Sequence, residues 1–216
     1  MGEAPKGKNV GNVTFLGKDR QIQVEIPIQN TLIPKAPSEP CFIGSNGYVS
    51  IEAAHFAKAH AKQLFEWKTI PDLRKTLSGV TCFPVNQGIA HPGGDSPHLE
   101  YEIYLDLAEK VTVKAYISPS LNFLDGSGFR CGISIDDGPV QLVNIHENNT
   151  AGTWASWGSN NINITGTAFR LDNAQPGFHT LKFWLADQAI VLQKLVVETQ
   201  PVEDTYLGPP ESASVR

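Results

Sequence analysis

The chain has 216 residues, 41% of them hydrophobic, and a formal net charge of -5 at pH 7. That length supports one good core and a small second module, but not a large catalytic barrel. No basic cluster offers an electrostatic footprint for nucleic acid or an anionic membrane, no apolar run approaches the roughly 20 residues of a membrane helix, and Met1-Gly2-Glu3-Ala4-Pro5-Lys6 lacks the apolar stretch of a signal peptide.

Residues 12–16 and 22–28 alternate apolar and polar around the turn Gly17-Lys18-Asp19-Arg20, which predicts a β-hairpin. Two strands cannot bury a face alone, so the hairpin either packs on the main domain or ends a preceding β-domain; the second is preferred, and residues 1–38 are expected to be such a tail plus a linker. Three prolines, Pro34, Pro37 and Pro40, enforce an extended connection and set a boundary near residue 40. Ala53 to Trp67 is rich in helix formers and reads as helix on propensity alone. Beyond it, period two dominates. Leu99, Tyr101, Ile103 and Leu105 fall on one face of a strand, with Glu100, Glu102 and Tyr104 on the other. Residues 111–117, 129–135, 140–145, 177–185 and 190–197 read the same way, at the spacing of about ten residues usual for sandwiches. Asp125-Gly126, Asp136-Asp137-Gly138 and Gln175-Pro176-Gly177 place glycine in the turns, where a positive φ is cheap. The expectation is an all-β fold, an antiparallel β-sandwich over residues 39–212 with a disordered tail at 213–216. Cys41, Cys82 and Cys131 sit among apolar neighbours and read as buried structural thiols, one disulfide with a leftover thiol being the alternative.

Gly94-Asp95-Ser96 matches the nucleophile block of the Gly-Asp-Ser hydrolases. A serine nucleophile needs a histidine base held by a carboxylate, and no Asp-x-x-His lies near the C-terminus. The triplet therefore reads as a solvated loop. His55 and His60 are five apart, which is not the spacing that sets two imidazoles on one helix face, so they read as surface histidines. Asp136 and Asp137 are adjacent at a strand end and read as a turn, not as a carboxylate pair flanking a glycosidic bond. The stretch from Asn144 to Asn163 combines Trp154 and Trp157 with many amides and hydroxyls, including Asn163. Sugar sites need that inventory, a stacked aromatic beside hydrogen-bonding groups. Trp67 and Arg74 form a second candidate edge. Sequons at Asn12, Asn148 and Asn163 are compatible with exposed β-loops.

Seven blocks carry a family likeness: Tyr48-Val49-Ser50-Ile51-Glu52-Ala53-Ala54-His55-Phe56, Trp67-x-x-Ile70-Pro71-Asp72-Leu73, Leu99-Glu100-Tyr101, Ser118-Pro119-Ser120-Leu121-Asn122-Phe123, Pro176 to Trp184, Val191-Leu192-Gln193-Lys194, and Tyr206-Leu207-Gly208-Pro209-Pro210-Glu211-Ser212. In this order they resemble the C-terminal domain of glycoside hydrolase family 115, the xylan α-glucuronidases. The resemblance implies a jelly-roll-like, galactose-binding-like sandwich similar to family 6 and family 35 carbohydrate-binding modules. It implies strand, loop and strand across residues 51–67, which a short helix after Glu52 reconciles with the local propensity. It further implies a structural calcium between Glu52 and Glu198, with Ala54 standing where the pattern has a second glutamate, so that one charged ligand is lost. The implied function is non-catalytic: an accessory module recognising (glucurono)xylan, with Arg74 or Lys75 meeting a uronate and Trp67, Trp154 or Trp157 stacking on xylose. The implied partners are a xylan-type polysaccharide, an attached catalytic domain and a homodimeric contact, in a secreted or periplasmic setting. The alternatives are a domain that completes the enzyme's active-site rim or dimer without sugar affinity of its own and, more weakly, an esterase using Ser96.

Overall fold

The structure is a computed structural model, and its described residues are 7–30, 36, 40–62, 64–73, 77–86, 90–106, 108–124, 128–147, 162–171, 175–203 and 205–215. Among them every regular element is a strand, and no helix is long and apolar enough to cross a membrane. The chain divides into two compact units, Met1–Lys35 and Ala36–Arg216.

The first unit is one hairpin of β1 (Gly7–Leu16) and β2 (Gln21–Asn30), paired antiparallel along their whole length. Its register sets Val13 opposite Val24 and Phe15 opposite Ile22, so one face is apolar, and these side chains are exposed.

The second unit holds two sheets. One runs β11 (Gln141–Asn144), β10 (Arg130–Ile135), β13 (Gly177–Leu185), β8 (His98–Leu105), β3 (Cys41–Ile43) and β15 (Ser214–Val215), with β5 (Lys58–His60) also on β8. The other runs β12 (Asn163–Arg170), β9 (Lys110–Ile117), β14 (Leu192–Glu198), β7 (Ser78–Phe83) and β6 (Glu66–Pro71), with β4 (Tyr48–Glu52) also on β14. Alternation supplies the core between them. Leu99, Tyr101, Ile103 and Leu105 of β8 join Val111, Val113, Ala115 and Ile117 of β9, Leu181 and Phe183 of β13, and Leu195 and Val197 of β14. Tyr101 crosses the layer and donates its hydroxyl to the Ala53 carbonyl at 2.7 Å. All three cysteines are free and buried, and burial lifts the Cys82 and Cys131 thiols to about 12.

Three expectations change. The described residues of 53–67 contain no helix, and strands end at Glu52 and resume at Glu66 as the family likeness implies: the Ala53 amide bonds the Gln193 carbonyl, the Ala57 amide bonds the Glu100 carbonyl, and Lys58–His60 pairs with β8. Sheet partners take the backbone groups that a helix would use internally, and tertiary context overrides propensity. Residues 214 and 215, expected in a disordered tail, form β15 against β3. At the turn after β10, the positive φ falls on Asp136 (53°), not on Gly138. Gly138 is needed for close approach, since a Cβ there would stand 2.9 Å from the Ile135 carbonyl oxygen.

The segment from Thr205 to Ser212 straps the outer face of the second sheet. A register shift between Leu192 and Lys194 on β14 turns Lys194 outward, opposite Glu52 of β4. Lys194 is 3% exposed and Glu52 6%. The ammonium stands 3.1 Å from Glu52 Oε1 and donates to the carbonyls of Pro209 (2.9 Å) and Leu207 (3.4 Å). Ser50 and Ser212 exchange bonds, the Ser50 hydroxyl donates to Pro209, and Glu211 Oε1 accepts from the Glu52 amide. Gly208, at φ 70°, lies flat against Tyr116. Removing one partner of a buried ion pair strands the other charge. Lys194→Met is therefore expected to lower unfolding free energy by about 3–5 kcal/mol in urea denaturation. The double variant Lys194→Met/Glu52→Gln recovers much of that loss; a double variant that loses the sum of both singles would show that the two side chains are not coupled.

Candidate functional site

Among the described residues, two hollows offer polar groups to solvent. The smaller, about 260 Å³, is lined by Ala90, His91, Pro92, Arg130, Leu142 and Ala186. Its one cation is committed: Arg130 reaches fully buried Asp187 through Nε (3.1 Å) and Nη2 (3.2 Å). The fork geometry of that pair holds the guanidinium in place.

The larger hollow, about 620 Å³, is an open cleft where the β10–β11 turn meets the end of β12. Asp136, Asp137, Gln141, Arg170 and His179 line it, over an apolar floor that includes Ile135, Pro139 and Phe169. The turn builds the first wall. Asp136 Oδ1 accepts from the Thr180 amide at 2.9 Å, and Oδ2 lies 2.8 Å from His179 Nδ1. The Asp136 amide in turn donates to the Thr180 carbonyl, so the left-handed residue is fixed from both sides. Gln141 closes the sheet edge, donating to the Ala168 carbonyl and accepting the Thr167 hydroxyl. Exposed Arg170 makes no ion pair among the described residues.

Burial alone would raise the Asp136 carboxyl, but the hydrogen bonds from His179 and Thr180 and the charges of His179 and Lys182 hold it below the ordinary aspartate value. A carboxylate, a guanidinium, an imidazole and a carboxamide above an apolar floor can hydrogen-bond adjacent hydroxyls or an acid group while covering a ring face.

The residues singled out in the sequence do not assemble into one site. Trp67, on β6, donates Nε1–H to the His60 carbonyl (3.0 Å) and meets the Phe183 ring edge-on, so it packs against the core. Asn163 is 5% exposed and ties β12 to the Ile145 carbonyl at 2.6 Å, which makes its sequon a buried position. Arg74, Lys75, Trp154 and Trp157 lie outside the described residues. Glu52 and Glu198 do not converge. On β14, Lys194 pairs with Glu52, whereas Glu198 lies opposite Tyr48 at the far end of the same pairing and binds Lys114 at 2.7 Å. Each carboxylate already has an ammonium partner, so the pair does not fit a calcium ion, which needs several converging oxygens. Ser96 donates its hydroxyl to the His91 backbone carbonyl and Asp95 pairs with Lys62, so among the described residues no imidazole nitrogen receives the serine hydroxyl. The cleft residues went unrecognised because Asp136 and Asp137 read as a turn, and Arg170 and Gln141 carry no local signal.

The depressed pKa of Asp136 has a stability consequence. Its contribution is complete above the unfolded aspartate value, about 3.9, and is lost as pH falls through the lower folded value. The melting temperature is expected to drop on acidification below about pH 4, and Asp136→Asn to flatten that limb; an unchanged acid limb in the variant would assign the loss to other carboxylates.

Comparison with known proteins follows the same outline. A solved family GH115 4-O-methyl-α-glucuronidase with specificity for decorated arabinogalactans aligns over 80% of this chain and 20% of its own, at 13% identity and a TM-score of 0.53. The chain thus spans about a fifth of that enzyme, and the likeness is one of fold. The Podospora anserina GH26-CBM35 β-(1,4)-mannanase aligns at 11% identity over 74% of this chain and 29% of its own (TM-score 0.46). A family 35 carbohydrate-binding module from Clostridium thermocellum aligns at 14% identity over 69% of this chain and 97% of its own (TM-score 0.42). No curated protein matches the chain. Residues 41–211, nearly the whole of the second unit, match the glycosyl hydrolase family 115 C-terminal domain, and the chain belongs to that family.

Proposed function

We propose that this is an accessory carbohydrate-binding domain whose cleft between the β10–β11 turn and the end of β12 takes a uronate-decorated hemicellulose of the glucuronoxylan type. The supporting observation is the convergence of Asp136, Asp137, His179, Gln141 and Arg170 on one open cleft. In this reading, Arg170 meets the uronate carboxylate through a charge-assisted bond, and the Asp136 and Asp137 carboxylates accept sugar hydroxyls. The ionised state of Asp136 suits it to accept, because a carboxylate is acceptor-only. Trp154, Trp157 and Arg74 lie outside the described residues and stay candidates for stacking and charge on the sequence alone. The domain works beside a catalytic domain of the same enzyme, outside the cell, and its own part is to hold or orient the polymer.

Calorimetric titration with glucuronoxylan and with undecorated xylan tests this. The decorated polymer is expected to bind and the undecorated one to bind weakly or not at all. Arg170→Ala is expected to weaken binding of the decorated polymer about tenfold or more and to erase the preference. Heat from neither polymer overturns the reading and favours a domain that completes the enzyme's active-site rim or dimer interface. Binding that is indifferent to Arg170→Ala and Asp136→Ala, but lost in Trp154→Ala or Trp157→Ala, moves the site away from this cleft.

A further inference from the structure

On the outer face of the first sheet, strand pairing assembles a second group of side chains far apart in sequence. His60 of β5 lies opposite His98 of β8, and Lys58 opposite Glu100. The ligand atoms of His60, His98 and Glu100 all lie within 4.8 Å of one another. Glu100 Oε1 stands 3.3 Å from His60 Nε2 and 3.4 Å from His98 Nε2. Two ligands bound at 2.0–2.1 Å to a tetrahedral ion stand about 3.3–3.4 Å apart, so two edges of such a polyhedron are already present.

The donor chemistry agrees. His98 Nδ1 is 2.7 Å from the Ser96 carbonyl, which only accepts, so Nδ1 carries a proton and Nε2 is left to offer its lone pair toward Glu100. A carbonyl-anchored Nδ1–H of this kind orients metal-bound histidines. Trp184 braces the same ring by stacking at 4.1 Å and donates its own Nε1–H to Ser134 at 2.8 Å. Glu100 Oε2 faces Lys58 at 3.5 Å, which leaves Oε1 to ligate. The two imidazoles stack at 4.2 Å, and both Nε2 atoms stand beside one carboxylate oxygen. A single divalent ion meets all three ligands at once.

We propose that His60 Nε2, His98 Nε2 and Glu100 Oε1 form a three-ligand site for zinc or a similar borderline divalent transition ion, with solvent in the fourth position. Two imidazoles and one carboxylate are a zinc donor set, whereas calcium prefers oxygen alone. An imidazole ligates in its ring plane, and the two rings stack within 10° of parallel, so ligation requires His60 to rotate out of the stack; its side chain is 44% exposed on a three-residue strand. The ion clasps β5 to β8, and with β5 the His60 carbonyl that receives the Trp67 indole. The proposal is independent of glycan binding at the cleft.

Titration of tag-free, metal-stripped full-length protein with zinc is expected to give one equivalent of binding and a raised melting temperature. His60→Ala and Glu100→Gln, both at partly exposed positions, are each expected to weaken zinc at least about tenfold, and His91→Ala to leave it unchanged. The cobalt(II) form is expected to show the strong visible absorption of a four-coordinate ion. Absence of stoichiometric zinc binding in wild-type protein overturns the proposal, as does binding that survives both His60→Ala and Glu100→Gln.

Discussion

The buried ammonium of Lys194 organises one whole side of the sandwich. It sits on the outward face of β14, where a lysine would ordinarily reach solvent, and its three acceptors come from two different places in the chain. Glu52 is its cross-strand neighbour, whereas Leu207 and Pro209 belong to the C-terminal strap. A lysine has three donors, and three oxygens stand around this one. Replacement of one acceptor by hydrocarbon would leave a charge in a dry site, so the strap, β4 and β14 hold one another in register. The strap then runs on to Ser212 and to β15 on β3, which links the outer face of one sheet to the edge of the other.

With that side closed, the chemistry-bearing groups lie elsewhere. The cleft of Asp136 and Arg170 occupies the opposite sheet edge, where Gln141 bridges β11 of one layer to β12 of the other. The His60, His98 and Glu100 group stands on the outer face of β8. Its placement follows from the inward face: Leu99, Tyr101, Ile103 and Leu105 must point into the core, so His98, Glu100 and Glu102 must point out. Cross-strand register then selects which outward groups meet. One strand thus serves stability on one side and polar chemistry on the other.

Much of the fold was legible because period-two patterning is a local property. Strands β8, β9, β10, β11, β13 and β14 fall within a few residues of the alternating runs, and the three buried thiols behave as small hydrophobes. Strands β7 and β12 escaped notice. β7 is buried almost throughout, and β12 is an edge strand whose Gly166 and threonines blur alternation. Over residues 53–67 propensity and the family likeness disagreed, and the likeness prevails because propensity is a weak preference, easily outweighed by hydrogen bonds to β8 and β14.

The sequence by itself determined the fold class and the two faces of β8, which alternation along the chain carries, and the family, which the seven ordered blocks carry. Tertiary structure alone decided which polar groups meet. His60 looked solitary when measured against His55, five residues away, yet its neighbour is His98, reached only across the β5–β8 pairing. Glu52 and Glu198 looked like a metal pair, yet register sets them at opposite ends of β14 and gives each a lysine. Asp136 and Asp137 read as a turn, and they do form one; they also wall a cleft because the far end of β12 is brought beside them. Local patterning fixes which face a side chain takes, but strand order and register fix its neighbours, and those are set by long-range pairing that no stretch of sequence contains.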